Sequence, residues 1–470
     1  MIIKEPVKIY LPHVDNEVKR FLTFVDRSVN YQIYKIKNNF RWASGDPEGH
    51  AERIKQLKEQ SVKTLIFKDN IGDYTYSGLI PELKQRFKWE LKNEITYPES
   101  QLIPWEKAPE FELRPYQKEA IEALKAIKHG AVELPTGSGK SACITELIKN
   151  YGLKTLLMTP SRSITEQLYQ DLCLRFGKKR VGKFSGSKKE TKKLIVVATG
   201  QALTRIAKDS KEYDDLHKTD VFIADESHSV PAETFEAVCM GVAAKAPYRF
   251  FFSATQLRTD GSEMILKGVT GPVVYKKTFK ELVNEGYLAK PVFRMFRVNS
   301  NGNTNRQDVN QETRKQLFEN PNVVKLAADI ADKSVQVANR KTLIIIDELV
   351  QHELLSNYLK TKHEFICGST PQAKRAEIIK EFNEGKLMLL IGTSAISTGV
   401  DLKPASSLIY LQGGMSEIQV KQAIGRGTRI FPGKTDLWVS DFIILNSNSM
   451  ERHARARMRI YETLGEVKVI

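Results

Sequence analysis

Cysteine is scarce in this chain: Cys143, Cys173, Cys239 and Cys367 are the only four in 470 residues. They lie far apart, which excludes both paired metal-ligand spacing and a disulfide-held scaffold. Long apolar runs are missing too, and nothing approaches the ~18 uninterrupted apolar residues that cross a bilayer. The opening Met1 to Lys8 has no apolar core of a secretory leader, so a reduced, cytoplasmic setting is expected, a host's if the gene is a phage's. Solenoid repeats, heptad arrays and low-complexity tracts are absent as well. Acidic residues are in deficit, 56 against 72 lysines and arginines, for a formal charge of +16. That surplus attracts polyanions without choosing among nucleic acid, acidic lipid and acidic protein.

What is present is ordinary globular composition, 41% hydrophobic and 27% charged, enough for several cores. At ~150 residues per domain, the length suggests about three. Pattern divides the chain at similar places. Residues 1–105 mix short strand-like runs with a charged helical stretch around Glu52 to Gln60, as a small α+β domain would. From 106 to 288, apolar runs such as Thr155–Met158, Leu194–Ala198, Val221–Ala224 and Arg249–Phe252 alternate with helical patterns. That texture belongs to a parallel sheet covered on both faces. Ala289-Lys290-Pro291 reads as a hinge. The alternation then restarts over 289–448 with Thr342–Ile346, Leu387–Ile391 and Ser407–Leu411. The basic residues 449–470 read as a tail, either a solvated helix face or a nucleic-acid contact. The fold class is therefore α/β, two tandem parallel-sheet units after an α+β domain.

The sharpest local signal is Leu134-Pro135-Thr136-Gly137-Ser138-Gly139-Lys140-Ser141, after apolar Ala131-Val132 and before a helical run. Glycines let backbone N–H groups converge on a phosphate, and the helix start adds positive potential. Lys140 can reach the β- and γ-phosphates, and the Ser141 hydroxyl suits Mg²⁺. Downstream, Val221–Ala224 ends in Asp225-Glu226-Ser227-His228. Asp225 can hold magnesium through water, while Glu226 can orient and deprotonate the attacking water. A third segment, Gln422-Ala423-Ile424-Gly425-Arg426-Gly427-Thr428-Arg429, sets two arginines three apart, close enough on one helix to share a face. Such cations can stabilise the charge that spreads over a transferring phosphoryl group.

Together these segments resemble the superfamily 2 helicases, from Leu113 to about Phe442 and in that family's motif order. The resemblance implies two tandem RecA-like domains, ATP and Mg²⁺ as ligands, and DNA as partner. It makes Arg114 and Gln117 the adenine-reading segment, with Pro135, Thr136, Gly137, Ser138, Gly139, Lys140 and Ser141 as motif I. Pro160, Ser161, Arg162 and Gln167 (motif Ia) and Thr199 with Gly200 (motif Ib) would meet the nucleic-acid backbone. Asp225 to His228 is motif II in its DExH form, and Ser253-Ala254-Thr255 is motif III. In the second unit, Leu343 to Asp347 resembles motif IV. Gly368, Arg375 and Phe382 lead to motif V, with Thr393 toward the strand and Gly399 and Asp401 toward the nucleotide. Gln422, Arg426 and Arg429 fit motif VI. His228, Ser253, Thr255 and Gln422 would couple hydrolysis to strand binding.

Residues 1–105 are similar to the N-terminal part of phage UvsW-type branch-migration helicases. The likeness lies in Phe40-Arg41-Trp42, Gly45-Asp46 and Tyr76-Ser77-Gly78-Leu79-Ile80. It implies an accessory DNA-binding domain and forked or four-way-junction substrates in replication, recombination or repair. The loop near Asn299 to Arg306 and the stretch Val269 to Lys277 are candidate strand-splitting wedges. An RNA helicase, an ATP-gated clamp and a restriction-type translocase stay open as alternatives. The last would carry an N-terminal nuclease built on Asp73, Glu82 and Lys84.

Overall fold

The computed structural model describes the chain except residues 1, 28, 39–46, 107–110, 228–231, 255–262, 303–308, 394–395 and 397–401. It divides into two compact units, Met1–Leu134 with Lys140–Lys276, and Pro135–Gly139 with Lys277–Ile470. Among the described residues no helix is long and apolar enough to cross a membrane.

The first unit opens with β1 (Ile2–Lys4), β2 (Lys8–Tyr10), β3 (Thr23–Val25), β4 (Val62–Thr64), β5 (Phe67–Lys68), β6 (Asp73–Tyr76) and β7 (Leu91–Asn93). They form a small sheet ordered β5-β6-β2-β1-β7 and a separate antiparallel pair, β3 with β4. The charged stretch read as helical is the helix Pro47–Ser61.

There follow β8 (His129–Glu133), β9 (Thr155–Thr159), β10 (Val181–Ser185), β11 (Lys188–Lys189), β12 (Ile195–Thr199), β13 (Val221–Asp225), β14 (Tyr248–Ser253) and β15 (Val273–Lys276). Their sheet runs β11-β10-β12-β9-β13-β14-β8-β15, parallel except where β10 meets β11. Strands β9, β12, β13 and β14 are buried along their whole length. Helices cover both faces, which is why near-continuous apolar runs were needed.

The N-terminal domain is not a free appendage. Its Ile9, Leu65, Tyr76, Leu79 and Leu83 join one buried cluster with Leu156, Phe222 and Phe251 of the parallel sheet's layer. Gly78 lets the two backbones close up: a Cβ there would stand 2.4 Å from the Gly268 carbonyl oxygen. The Tyr76 hydroxyl donates to Glu236, and Lys267 pairs with Glu82.

The second unit carries β16 (Lys290–Asn299), β17 (Thr342–Ile346), β18 (His363–Ile366), β19 (Leu389–Gly392), β20 (Ser407–Leu411), β21 (Asp436–Leu445) and β22 (Glu466–Val469). The order is β18-β19-β17-β20-β21-β16-β22, with parallel pairing throughout.

Several sequence expectations are corrected here. Ala289-Lys290-Pro291 is no hinge; Lys290 and Pro291 start β16 in register with Asp436 and Leu437. Val269–Lys277 is no wedge, because β15 pairs with β8 and completes the first sheet. Residues 303–306 of the other candidate wedge, and the Phe40–Asp46 signature, lie outside the described residues. Residues 449–470 are not a tail. The helix Asn448–Leu464 buries Met450, His453, Ala454, Arg457, Tyr461 and Leu464, and β22 then pairs with β16. Arginines on the open face of that helix masked its 3.6-residue period.

The helix is held by a buried ion pair. Arg457 donates from Nε to Asp441 Oδ2 at 2.7 Å and from Nη2 to Oδ1 at 2.9 Å. The Tyr461 hydroxyl donates to the same carboxylate at 2.7 Å. Removing one partner strands the other charge in the core.

Asp441→Ala is therefore expected to cost about 3–5 kcal/mol in urea unfolding, and Asp441→Ala with Arg457→Met should recover part of it. Gly78→Ala should cost about 1–3 kcal/mol by overpacking. An unchanged urea midpoint for Gly78→Ala would show that the N-terminal domain is docked loosely.

Candidate nucleotide and nucleic-acid site

Leu134–Ser141 links β8 to the helix Lys140–Tyr151. Gly137 and Gly139 take φ of +88° and +84°, backbone conformations that favour glycine. Ser138 is fully buried, and the Thr136 hydroxyl is buried without a partner among the described residues. Lys140 is 7% exposed, and its ammonium donates to the Leu134 carbonyl at 3.2 Å. The same ammonium pairs with Glu226 Oε1 at 3.0 Å.

Glu226 follows the last residue of β13, Asp225, so both acids sit at a carboxyl end of the parallel sheet, where such folds bind ligands. Glu226 has φ of +50°, strained for a side chain of its size. Burial, and then the neighbouring Glu226 charge, push Asp225 up to about 7, with Lys140 pulling the other way. Its Oδ1 is buried and has no partner among the described residues. No cluster of three or more His, Cys, Asp or Glu able to hold a metal occurs among the described residues. One unsatisfied carboxylate oxygen and the exposed Ser141 hydroxyl suit a magnesium ion that keeps water and phosphate ligands.

The remaining expected residues are placed as follows. Gln117 is buried, and its Oε1 accepts the Arg114 N–H at 3.0 Å, capping its own helix. Ser161 and Thr199 cap the helices that follow β9 and β12, and those strands pair with Thr159 opposite Thr199. Motifs Ia and Ib are thus neighbours, with Arg162 and Gln167 exposed on the first helix and Pro160 and Gly200 at the strand ends. Ser253 ends β14, and its carbonyl accepts the Leu134 N–H at 2.9 Å, joining motif III to motif I. His228, Thr255, Gly399 and Asp401 lie outside the described residues.

In the second unit, Thr393 follows β19, and its N–H donates to the Ile366 carbonyl. Gly368, beyond β18, is exposed. The helix Glu417–Gly427 carries Gln422 and Arg426, the latter 8% exposed. The expectation that Arg426 and Arg429 share one helical face is corrected. The helix stops at Gly427, Thr428 caps it, and Arg429 forms an antiparallel bridge with Leu288. A Cβ at Gly427 would press on Leu437, so the chain turns away there.

Two features escaped the sequence reading. Asp347 uses both carboxylate oxygens, accepting from Gln412 Nε2 at 2.7 Å and Gly413 N–H at 2.9 Å. It thereby holds the turn that leads into the arginine helix. Lys434 donates to the Gly427 and Lys403 carbonyls. Burial, and then the charge of Arg429, push its ammonium down to about 7. Asp347 was read only as the end of the motif IV segment and Lys434 not at all, since these contacts reach partners 65 and 31 positions away. For the nuclease alternative, Glu82 pairs with Lys267 of the parallel-sheet part of the same unit.

Two family models match. Residues 110–258 match the type III restriction enzyme res subunit, and 323–431 match the helicase conserved C-terminal domain. A Halobacterium salinarum protein assigned as DNA 3'-5' helicase Rad25 is 26% identical over 362 residues, 75% of this chain and 58% of its own length. The DNA 3'-5' translocase XPB2 of Sulfurisphaera tokodaii is 25% identical over 393 residues, 75% of this chain and 87% of its own. The chain thus spans little more than half of the first relative. The crystal structure of T4 UvsW aligns along 100% of this chain and 99% of its own at 16% identity. Its TM-score of 0.43 is too low to bear on function. The two family models fall on the two parallel-sheet units in the order in which the motifs run, and the chain therefore belongs to the superfamily 2 helicases, ATPases with paired RecA-like domains.

Proposed function

We propose that this protein is an ATP-driven DNA translocase of 3'-5' polarity that unwinds or branch-migrates forked and four-way-junction DNA. The observation that carries the motor is Lys140 paired at 3.0 Å with Glu226, beside an Asp225 with an unsatisfied buried oxygen. An ammonium shared with the general base can pass to incoming phosphates, which frees the Glu226 carboxylate to orient and deprotonate water. Bound ATP with magnesium supplies the phosphoryl group and the counter-charge. Ser141 and Asp225 would hold the metal, while Arg114 and Gln117 would hold the adenine. Gly399 and Asp401 are assigned to the nucleotide from sequence alone. Arg426 and Arg429 would stabilise the charge on the phosphoryl group in transfer.

The choice of DNA and of polarity is supported by what the two relatives are named for, and by a surplus of +16 that favours a backbone grip. Pro160, Ser161, Arg162, Gln167, Thr199 and Gly200 would line the strand on the first unit, and Gly368 and Thr393 on the second. His228, Ser253, Thr255 and Gln422 would relay hydrolysis to that grip. The branched substrate is supported by the sequence similarity of residues 1–105. The shared core of that domain with the first parallel sheet adds a surface fixed to the motor.

Glu226→Gln should lower ATP turnover by about 10²-fold or more while nucleotide binding survives; unchanged turnover would remove Glu226 as the base. Unwinding of forks, four-way junctions and tailed linear duplexes, with Lys140→Ala as the inactive control, tests the substrate. Branched DNA should be preferred, and equal rates on linear and branched DNA would remove the branch-migration assignment. Stimulation of the ATPase by RNA as strong as by DNA would favour the RNA-helicase alternative.

A further inference from the structure

Between Lys178 and Lys193 the chain carries eight basic residues and one acid, so +7 of the total +16 falls in 16 positions. The segment folds into one place. Strands β10 and β11 form an antiparallel hairpin, Phe184 opposite Lys189 and Ser185 opposite Lys188, turned at Gly186 with φ of +62°. It is the edge of the first unit's sheet. Edge lysines are a common guard against strand pairing, and Lys188 and Lys189 on β11 fit that role, but the other six basic residues of the segment lie off the edge strand.

The charges here are also largely uncommitted. Lys183 pairs with Glu166, and the Lys193 ammonium donates to the Lys179 carbonyl. The lone acid, Glu190, accepts the backbone N–H of Lys183 at 3.2 Å. Lys188, Lys189 and Lys192 are exposed and have no carboxylate within ion-pair distance among the described residues.

Beneath the hairpin lies a hollow of about 340 Å³ lined by Arg162, Lys188, Lys189, Thr199 and Arg205, with Glu212 its one carboxylate. Arg162 and Thr199 are motif residues; the lysines and Arg205 belong to no motif. Among the described residues, the only aromatic ring in the lining, Phe184, is 5% exposed and packs inward. Single-strand grooves combine charge with exposed rings on which bases stack. This hollow offers charge without a stacking platform, which fits phosphates whose bases are already paired.

We propose that Lys188, Lys189 and Lys192 of the hairpin, with Arg205 across the hollow, are a second DNA contact, a clamp on the phosphates of a duplex arm, adjoining Arg162 and Thr199, which are assigned to the tracking strand. The proposal rests on the reading of the chain as a DNA motor. It implies that the protein grips duplex and single strand at once, as an enzyme working at a branch must.

The test uses the full chain with Lys188→Ala, Lys189→Ala and Lys192→Ala combined. Fluorescence anisotropy with a blunt duplex and a single strand of equal length is read across a salt series. Each phosphate contact contributes about 0.9 to the slope of log affinity against log salt on duplex DNA. The variant's slope on duplex should become shallower by about 2–3, with affinity near 0.1 M salt falling at least about 10-fold. Single-strand affinity, and ATP turnover at saturating single strand, should stay as in the wild type. The corresponding triple Lys→Arg variant should restore the duplex slope, which a folding defect would not allow. Unchanged duplex affinity would overturn the clamp. Equal losses on duplex and single strand would overturn its assignment to duplex. A wild-type chain whose ATPase ignores DNA, yet whose duplex binding depends on these lysines, would overturn the motor and leave the clamp standing.

Discussion

One ammonium group neutralises the acidic end of β13. Lys140, almost out of solvent, meets Glu226 directly and opposes the upward shift that burial imposes on Asp225. Two adjacent carboxylates at a buried strand end repel one another, so the arrangement without nucleotide depends on that cation. The glycine turn places it there: positive φ at Gly137 and Gly139 brings the chain round so that Lys140 begins a helix while its side chain folds back to the Leu134 carbonyl. Under the proposed function, a polyphosphate competing for Lys140 would take the acids' partner away as it brought them a substrate. The strained backbone at Glu226 belongs to the same device, since it aims the second acid at the lysine rather than along the strand.

Around this centre, each unit solves the same packing problem. Parallel strands buried on both faces need apolar residues at nearly every position, and they leave their carboxyl ends as the only polar rim. Asp225 and Glu226 lie on that rim, and a charge inside the layer, such as fully buried Arg249 in β14, is satisfied by carbonyls instead, those of Ala243 and Cys239. In the second unit the C-terminal helix works in a comparable way. Arg457, Asp441 and Tyr461 form a closed buried network, and Arg457 also donates to the Gly414 carbonyl. His453 contacts the adjacent Gly413 carbonyl, and Asp347 grips the Gly413 N–H from the other side. The turn before the arginine helix is thus fastened from two directions.

Net charge by itself favours a polyanion without choosing among them; its distribution says more. The helix Asn448–Leu464 spends one arginine in the core and shows Arg452, Arg455 and Arg459 to solvent, with Glu451 paired to Arg455. The β10–β11 edge concentrates a larger surplus with fewer partners, beside motif residues that face the same hollow.

Much was legible in order along the chain. Apolar runs located β9, β12, β13, β14, β17 and β20 nearly to the residue, because burial on both faces leaves a signal that needs no partner to be read. Lys140, Asp225 and Glu226 were singled out because phosphate chemistry would call for those residue types beside a strand end, and the structure brings the three together. What depended on distant partners stayed hidden: the docking of Gly78 on Gly268, the pairing of Arg457 with Asp441, and the strand role of residues mistaken for a hinge and a wedge. The helix break that separates Arg426 from Arg429 was hidden for the same reason. Local sequence determined which segments are strands and which turn can cradle a phosphate. Only tertiary structure decided which charges are neutralised, because an ion pair is set by distance in space, and residues far apart in the chain meet only once the sheets have formed.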